Sequence, residues 1–226
     1  SVAFSDKFGT RFRYALGAGY YYKGTYDRVK DEKSAYDPGD VVVVTGGLDV
    51  LLGKGVLRTD VLFNYYTPEY ENDTVTFQLG SMFKLKLRYV ASVWKLTLDA
   101  GAWGQYRWDS RYSEEAKLEP DRYKSYGNHG AADLLVTYWF TKRINAGVSV
   151  DIDAEMPNGY PSSSQLYRGK KLMTGFGGTF GFAPLKPLWF DVGAGYYMGS
   201  IGPRYALSGG IELRGWQVRT VGRYQF

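Results

Sequence analysis

Val75-Thr76-Phe77-Gln78-Leu79-Gly80-Ser81-Met82-Phe83-Lys84-Leu85-Lys86-Leu87-Arg88-Tyr89 decides the fold. Val75, Phe77, Leu79, Phe83, Leu85, Leu87 and Tyr89 share one parity, while Gln78, Gly80, Met82, Lys84, Lys86 and Arg88 share the other. That period of two is the signature of a strand with one apolar face. Read as a single strand it is longer than the roughly 5–6 residues usual in globular sheets. The next segment repeats the pattern in the opposite phase: Trp94, Leu96, Leu98, Ala100, Ala102 and Tyr106 lie against Lys95, Thr97, Asp99, Gly101, Gln105 and Arg107.

The same alternation extends to Phe12–Tyr22, Val42–Leu52, Leu57–Tyr65, Tyr126–Phe140, Ile144–Ala154, Leu172–Phe182, Leu188–Met198, Tyr205–Leu213 and Trp216–Phe226. Short connections (Gly53–Gly55, Val90–Val93, Thr141–Arg143, Pro184–Pro187) alternate with long polar ones (24–40, 66–74, 109–124, 155–170). Strands joined by short turns at one end and long loops at the other describe a membrane-spanning barrel. In a bilayer every backbone donor and acceptor needs a partner, so only a closed sheet can span. Closure turns the apolar face outward, toward lipid. The expectation is one all-β domain over residues 1–226, an antiparallel up-and-down transmembrane β-barrel.

Composition agrees. The 226 residues carry 17% aromatic side chains, 29 Gly and no Cys, which excludes collagen, coiled coil and disulfide scaffolds and removes every thiolate site. The longest stretch free of charge, Leu172–Leu185, is interrupted by four glycines and a proline and is too short for a spanning helix. The first residues show no basic segment followed by an apolar run, so the sequence reads as cytosolic or as a processed mature chain. Ten outward aromatic residues, Tyr20, Tyr22, Tyr65, Tyr89, Trp94, Tyr106, Tyr138, Tyr196, Trp216 and Tyr224, are expected near strand ends as two girdles at the headgroup level.

The run Val221-Gly222-Arg223-Tyr224-Gln225-Phe226, ending in Phe after alternating aromatic and apolar residues, resembles the assembly signal on the last strand of bacterial outer-membrane proteins. That resemblance implies an integral protein of a Gram-negative outer membrane. Its neighbours would be lipid and lipopolysaccharide, and the barrel assembly machinery would read the Phe226 end. The phase changes at Arg214-Gly215, which fits either a bulge in one long final strand or a two-residue turn. Bacterial barrels have even strand numbers. Ten strands are expected, and twelve if residues 1–8 add a short one.

Inward parity places Arg11, Arg13, Arg58, Lys84, Lys86, Arg88, Lys95, Arg219 and Arg223 in a basic wall, which becomes continuous where the first and last strands meet. Asp133, Asp151, Asp153 and Asp191 form an acidic wall, with Asp49, Asp60, Asp99 and Glu212 among the bases. Such a lumen focuses its field on polar solutes. Inward glycines such as Gly47, Gly101, Gly175 and Gly181 leave space. The functional expectation is a pore for small polar solutes, anions among them. Two alternatives stay open: an occluded accessory barrel that binds a partner protein through its loops or outer wall, and a lipid-modifying enzyme.

Chemistry is not expected. His129 is the only imidazole, in Asn128-His129-Gly130-Ala131, which resembles the Asn-His element of outer-membrane phospholipase A. That family carries Ser two residues after its His, where this chain has Ala131, and Ser125 offers a different geometry. His129 also faces inward by parity, away from a lipid substrate. No cofactor or metal is expected, since Asp151 and Asp153 alone fall short of the six or more oxygens that hard cations take. The net charge of +5 does not imply nucleic acid, because the basic residues point inward or sit in mixed-sign loops.

Overall fold

The computed structural model describes residues 1–29, 32–114, 117–124, 127–203 and 209–224. In chain order the strands are β1 (Val2–Phe8), β2 (Phe12–Tyr21), β3 (Tyr26–Val29), β4 (Glu32–Asp37), β5 (Val41–Leu52), β6 (Gly55–Tyr66), β7 (Glu69–Glu71), β8 (Thr74–Gln78) and β9 (Met82–Val93). They continue as β10 (Leu96–Arg107), β11 (Arg111–Glu114), β12 (Lys117–Pro120), β13 (His129–Thr141), β14 (Ile144–Glu155), β15 (Lys171–Leu185), β16 (Leu188–Ile201) and β17 (Ile211–Tyr224). Eleven form one antiparallel sheet in the order β1-β2-β5-β6-β9-β10-β13-β14-β15-β16-β17. Each is hydrogen-bonded to its predecessor in that order, which is the meander the sorted turns require.

The remaining six make a second antiparallel sheet, β12-β11-β8-β7-β4-β3, built within three of the long connections. This corrects the reading of those connections as plain loops. It also corrects the reading of residues 75–89 as one strand, because the chain leaves β8 in the second sheet and enters β9 in the first. The break falls at Leu79-Gly80-Ser81. Gly80 N–H donates to Ser110 Oγ at 3.1 Å, and Trp108 N–H donates to the Ser81 carbonyl at 2.9 Å. A Cβ on Gly80 would overlap the Trp108 carbonyl. Ser110 is the most deeply buried side chain among the described residues. Ser81 on the apolar parity and Met82 on the polar one interrupt the alternation at this joint, but Phe83 resumes the phase of Leu79, so parity alone does not assign the two segments to different sheets.

The strand number is also corrected. Residues 2–8 pair with β2 as a full strand, and the register of β17 against β16 runs from Leu188↔Tyr224 to Ile201↔Ile211 without a shift. The phase change at Arg214-Gly215 is therefore neither bulge nor turn. Ile211 and Leu213 simply take the polar face, and Glu212 and Arg214 take the apolar one, where they pair at 3.1 Å. Ten or twelve strands become eleven. The sheet is open: among the described residues β1 pairs only with β2, and β17 only with β16.

Among the described residues no dry core lies between the faces. Tyr36, Met82 and Ala91 are the buried hydrophobic residues among those described, whereas Leu96 and Phe180 are each 46% exposed. The two faces differ in crowding. On the polar face a Cβ at Gly101 would approach Asp133 Oδ1 to 2.5 Å, and one at Gly181 would meet Asn145 and Trp189 at 2.8 Å. On the apolar face a Cβ at Gly104 meets nothing within 4 Å, and one at Gly178 only a carbonyl at 3.8 Å. Side chains converge on a concave surface and diverge on a convex one, so the sheet curves around its polar face.

Candidate pore wall

Adjacent strands place carboxylates beside guanidinium groups along the concave face. Asp49 on β5 stands opposite Arg58 on β6, and the Arg58 Nε–H donates to Asp49 Oδ1 at 3.0 Å. Arg88 on β9 grips Asp99 on β10 with two bonds of 2.8 and 2.6 Å, a forked geometry that fixes both side chains. Arg223 on β17 pairs with Asp191 on β16, whose other oxygen accepts Trp189 Nε1–H at 2.8 Å. Lys84 lies 4.0 Å from the centre of the Trp103 ring, a cation–π contact. Trp103 also holds His129 edge-on, with ring centres 4.6 Å apart.

His129 Nε2 and Asp153 Oδ2 are 2.7 Å apart, and Lys171 Nζ sits 3.0 Å from the other Asp153 oxygen. Lys171, at the start of β15, was missed by sequence reasoning. Counting back by twos from Gly175 would have found it. Asp133 and Asp151 face each other in register on β13 and β14. Each lies across a glycine of the next strand: a Cβ at Gly101 would strike Asp133, and one at Gly175 would come within 2.5 Å of Asp151 and Tyr197. Gly101, Gly175 and Gly181 are thus not empty space, whereas a Cβ at Gly47 or Gly193 would meet no atom closer than 3.4 Å. The first three are troughs in which neighbouring polar side chains lie down along the wall.

Arg13 on β2 stands opposite Asp49, and Lys86 on β9 opposite Asp60, yet neither base makes an ion pair among the described residues. Arg219 on β17, opposite Gly193 on β16, likewise has none there. Two sequence-based positions change. Lys95 sits in the turn between β9 and β10, with its ammonium 5.5 Å from Trp94 and 5.9 Å from Tyr138, so it leaves the basic wall for the outer rim. Glu212 moves to the outer face, as described above. Arg11 lies in the turn before β2, where its carbonyl accepts the Leu51 N–H at 2.9 Å.

Arg58 and Arg88 pair with Asp49 and Asp99, the aspartates expected among the bases, while Asp133, Asp151 and Asp153 stand together on β13 and β14; the departure is Asp191, which pairs with Arg223 instead of belonging to an acidic wall. In the strand order the basic residues of β17 and those of β2 stand toward opposite edges of the sheet.

On the apolar face Tyr20, Tyr22, Tyr65 and Tyr106 occupy the long-loop end, and Tyr89, Trp94, Tyr138 and Tyr224 the short-turn end. Tyr20 hydroxyl bonds Asp40, Tyr106 packs on Trp108 at 5.0 Å, and the Tyr89 ring covers Gly55. Tyr196 and Trp216 pack together at 4.9 Å, but well inside their strands rather than at the ends. Trp94 is a turn residue with φ of 55°. Phe226 and Ser125 lie outside the described residues.

A curved antiparallel meander with an apolar convex face and a charged concave face is the architecture of a β-barrel wall. The chain is similar to a solved structure, the outer membrane channel DcaP of Acinetobacter baumannii, with a TM-score of 0.58 and 13% sequence identity over 98% of this chain. It spans 61% of that chain's length. No family model matches the sequence, and no curated protein does either.

Proposed function

We propose that the chain forms the wall of an outer-membrane pore that passes small polar solutes and favours anions. The observation that carries this reading is the recumbent polar lining: Asp133 and Asp151 lie along glycine troughs and Arg88 is clamped to Asp99, so charge covers the wall without filling the space it encloses. Lys86, Arg13 and Arg219, left without carboxylate partners among the described residues, supply the surplus positive charge. The similar solved structure, itself an outer membrane channel, supports the same function. In this reading lipid and lipopolysaccharide of a Gram-negative cell surround the convex face, the short turns face the periplasm, and the assembly machinery takes the last strand.

The test is conductance in planar bilayers, with a blank membrane as reference. The substitutions K84E and K86E together are expected to lower the chloride-to-potassium permeability ratio by about three- to tenfold in 0.1 M salt, since four unit charges change close to the ion path. The effect shrinks in 1 M salt, where the screening length is about 3 Å. An unaltered reversal potential means the lysines do not face the path. Conductance equal to the blank replaces the pore with the occluded barrel.

We read the protein as non-enzymatic. His129 is engaged by Asp153 and Trp103 on the concave face, with Ala131 where a nucleophile would stand. H129A is expected to leave membrane lipid composition unchanged, as measured by mass spectrometry of extracted lipid.

A further inference from the structure

Four charged residues of the concave face stand in one cross-strand row. Lys7 on β1 lies opposite Arg13 on β2, Arg13 opposite Asp49 on β5, and Asp49 opposite Arg58 on β6. Three bases therefore share one carboxylate. Arg58 takes both of its oxygens, with Nε–H donating to Oδ1 at 3.0 Å and Nη2–H to Oδ2 at 3.5 Å. Arg13 and Lys7 are left facing each other, and neither makes an ion pair among the described residues. Arg58 and Arg88 also stand opposite one another, but each of those is held by its own aspartate. Like charges directly opposite on paired strands repel, so the Lys7–Arg13 pair is unfavourable as it stands. The adjacent acid, Asp6, does not relieve it. Asp6 has the convex parity of Phe4 and Tyr14, whose rings pack together, and its Oδ1 accepts the Lys7 backbone N–H at 2.7 Å.

A hollow of about 630 Å3 is bordered by Lys7, Arg13, Asp49 and Arg58. Its floor is the next concave row, where Ser5, Ala15 and Gly47 are in register across β1, β2 and β5. No long side chain rises from that row to fill the space beside the two bases. Asp60, two strands from Arg13, borders the far side and stands opposite Lys86.

Resting on the reading of the concave face as a solute path, we propose that Arg13, Lys7 and the Ser5 hydroxyl form a binding site for a phosphate group. Two uncompensated cations match a dianion, whereas chloride or a single carboxylate neutralises only one of them. Arg13 presents a planar fork of N–H donors that engages two phosphate oxygens at once, and Lys7 adds a compact ammonium. Ser5, on the same face one row away, supplies a neutral donor. Arg58 stays with Asp49, so Arg13 and Lys7 set the charge of the site.

The experiment titrates inorganic phosphate into the folded protein in detergent at about pH 8, where phosphate is doubly charged, and reads binding by calorimetry. Saturable binding is expected, with acetate binding about tenfold more weakly. R13Q and K7Q are each expected to weaken phosphate binding by about tenfold, the loss of one charge-assisted contact. D49N is expected to tighten it about threefold, since a neighbouring negative charge is removed and Arg58 is released toward the anion. That gain is one a damaged fold does not produce. K142Q removes the same charge from the turn between β13 and β14 and is expected to leave binding unchanged. Absence of saturation, unchanged binding in R13Q, no gain in D49N, or an equal loss in K142Q and R13Q each overturns the proposal, the last because phosphate then responds only to net charge. Conductance of the same preparations in planar bilayers keeps this result separate from the pore reading. A conducting protein that binds no phosphate rejects only the site, and a non-conducting protein that binds it rejects only the pore.

Discussion

V148R is expected to block or severely weaken membrane assembly, whereas S149R, one residue along the same strand, leaves assembly intact. Val148 lies on the convex face of β14 and is 66% exposed. A guanidinium there must sit in hydrocarbon, at a cost of about 2–4 kcal/mol near the bilayer midplane. Ser149 belongs to the concave face, opposite Leu135 and Gly177, where a long cationic side chain reaches water and other polar groups. Heat-modifiable mobility on gels and the urea midpoint in lipid vesicles read both variants. If S149R is the one that fails to assemble, the faces are assigned the wrong way round.

The second large effect is expected from G80A. Its methyl group would collide with the backbone of Trp108, which is held in place by its own hydrogen bond to Ser81, so relief requires the joint between the two sheets to move. Overpacking of this kind costs about 1–3 kcal/mol. The loss is local: amide exchange should accelerate in β8, β11 and around Ser110, while β14 and β15 stay protected. Unchanged exchange in β8 and β11 would show that the joint has slack that the contacts at Gly80 do not suggest.

Much of the wall was legible from parity because burial in a two-sided sheet imposes a strict period of two. Lys84, Lys86 and Arg88 fell on the polar face because their neighbours Phe83, Leu85 and Leu87 demanded the other. What parity does not carry is which sheet a strand joins. Val75 and Phe77 have the same phase as Phe83 and Leu85 but belong to β8, and only the contacts of Gly80 with Trp108 and Ser110, distant in sequence, separate them. Closure was illegible for a related reason. The alternation of Leu213 and Trp216 changes phase, which suggested an irregular end, yet β17 stays regular and tolerates Ile211 and Leu213 on the polar side. The pairing of charges also escaped the sequence. Arg88 and Asp99 had been placed in the same lumen, but only the register across the β9–β10 turn makes them partners, and Arg223 meets Asp191 by the same kind of accident of register.

The lateral stitching of the long connections has an immunological corollary. Because β12-β11-β8-β7-β4-β3 are hydrogen-bonded side by side, an antibody that grips this cap draws its contacts from stretches scattered between Tyr26 and Pro120. Such an antibody loses its target once detergent and heat unravel the lacing, although every peptide in it remains. A substitution in any one of these strands therefore alters a surface that three separate excursions of the chain share.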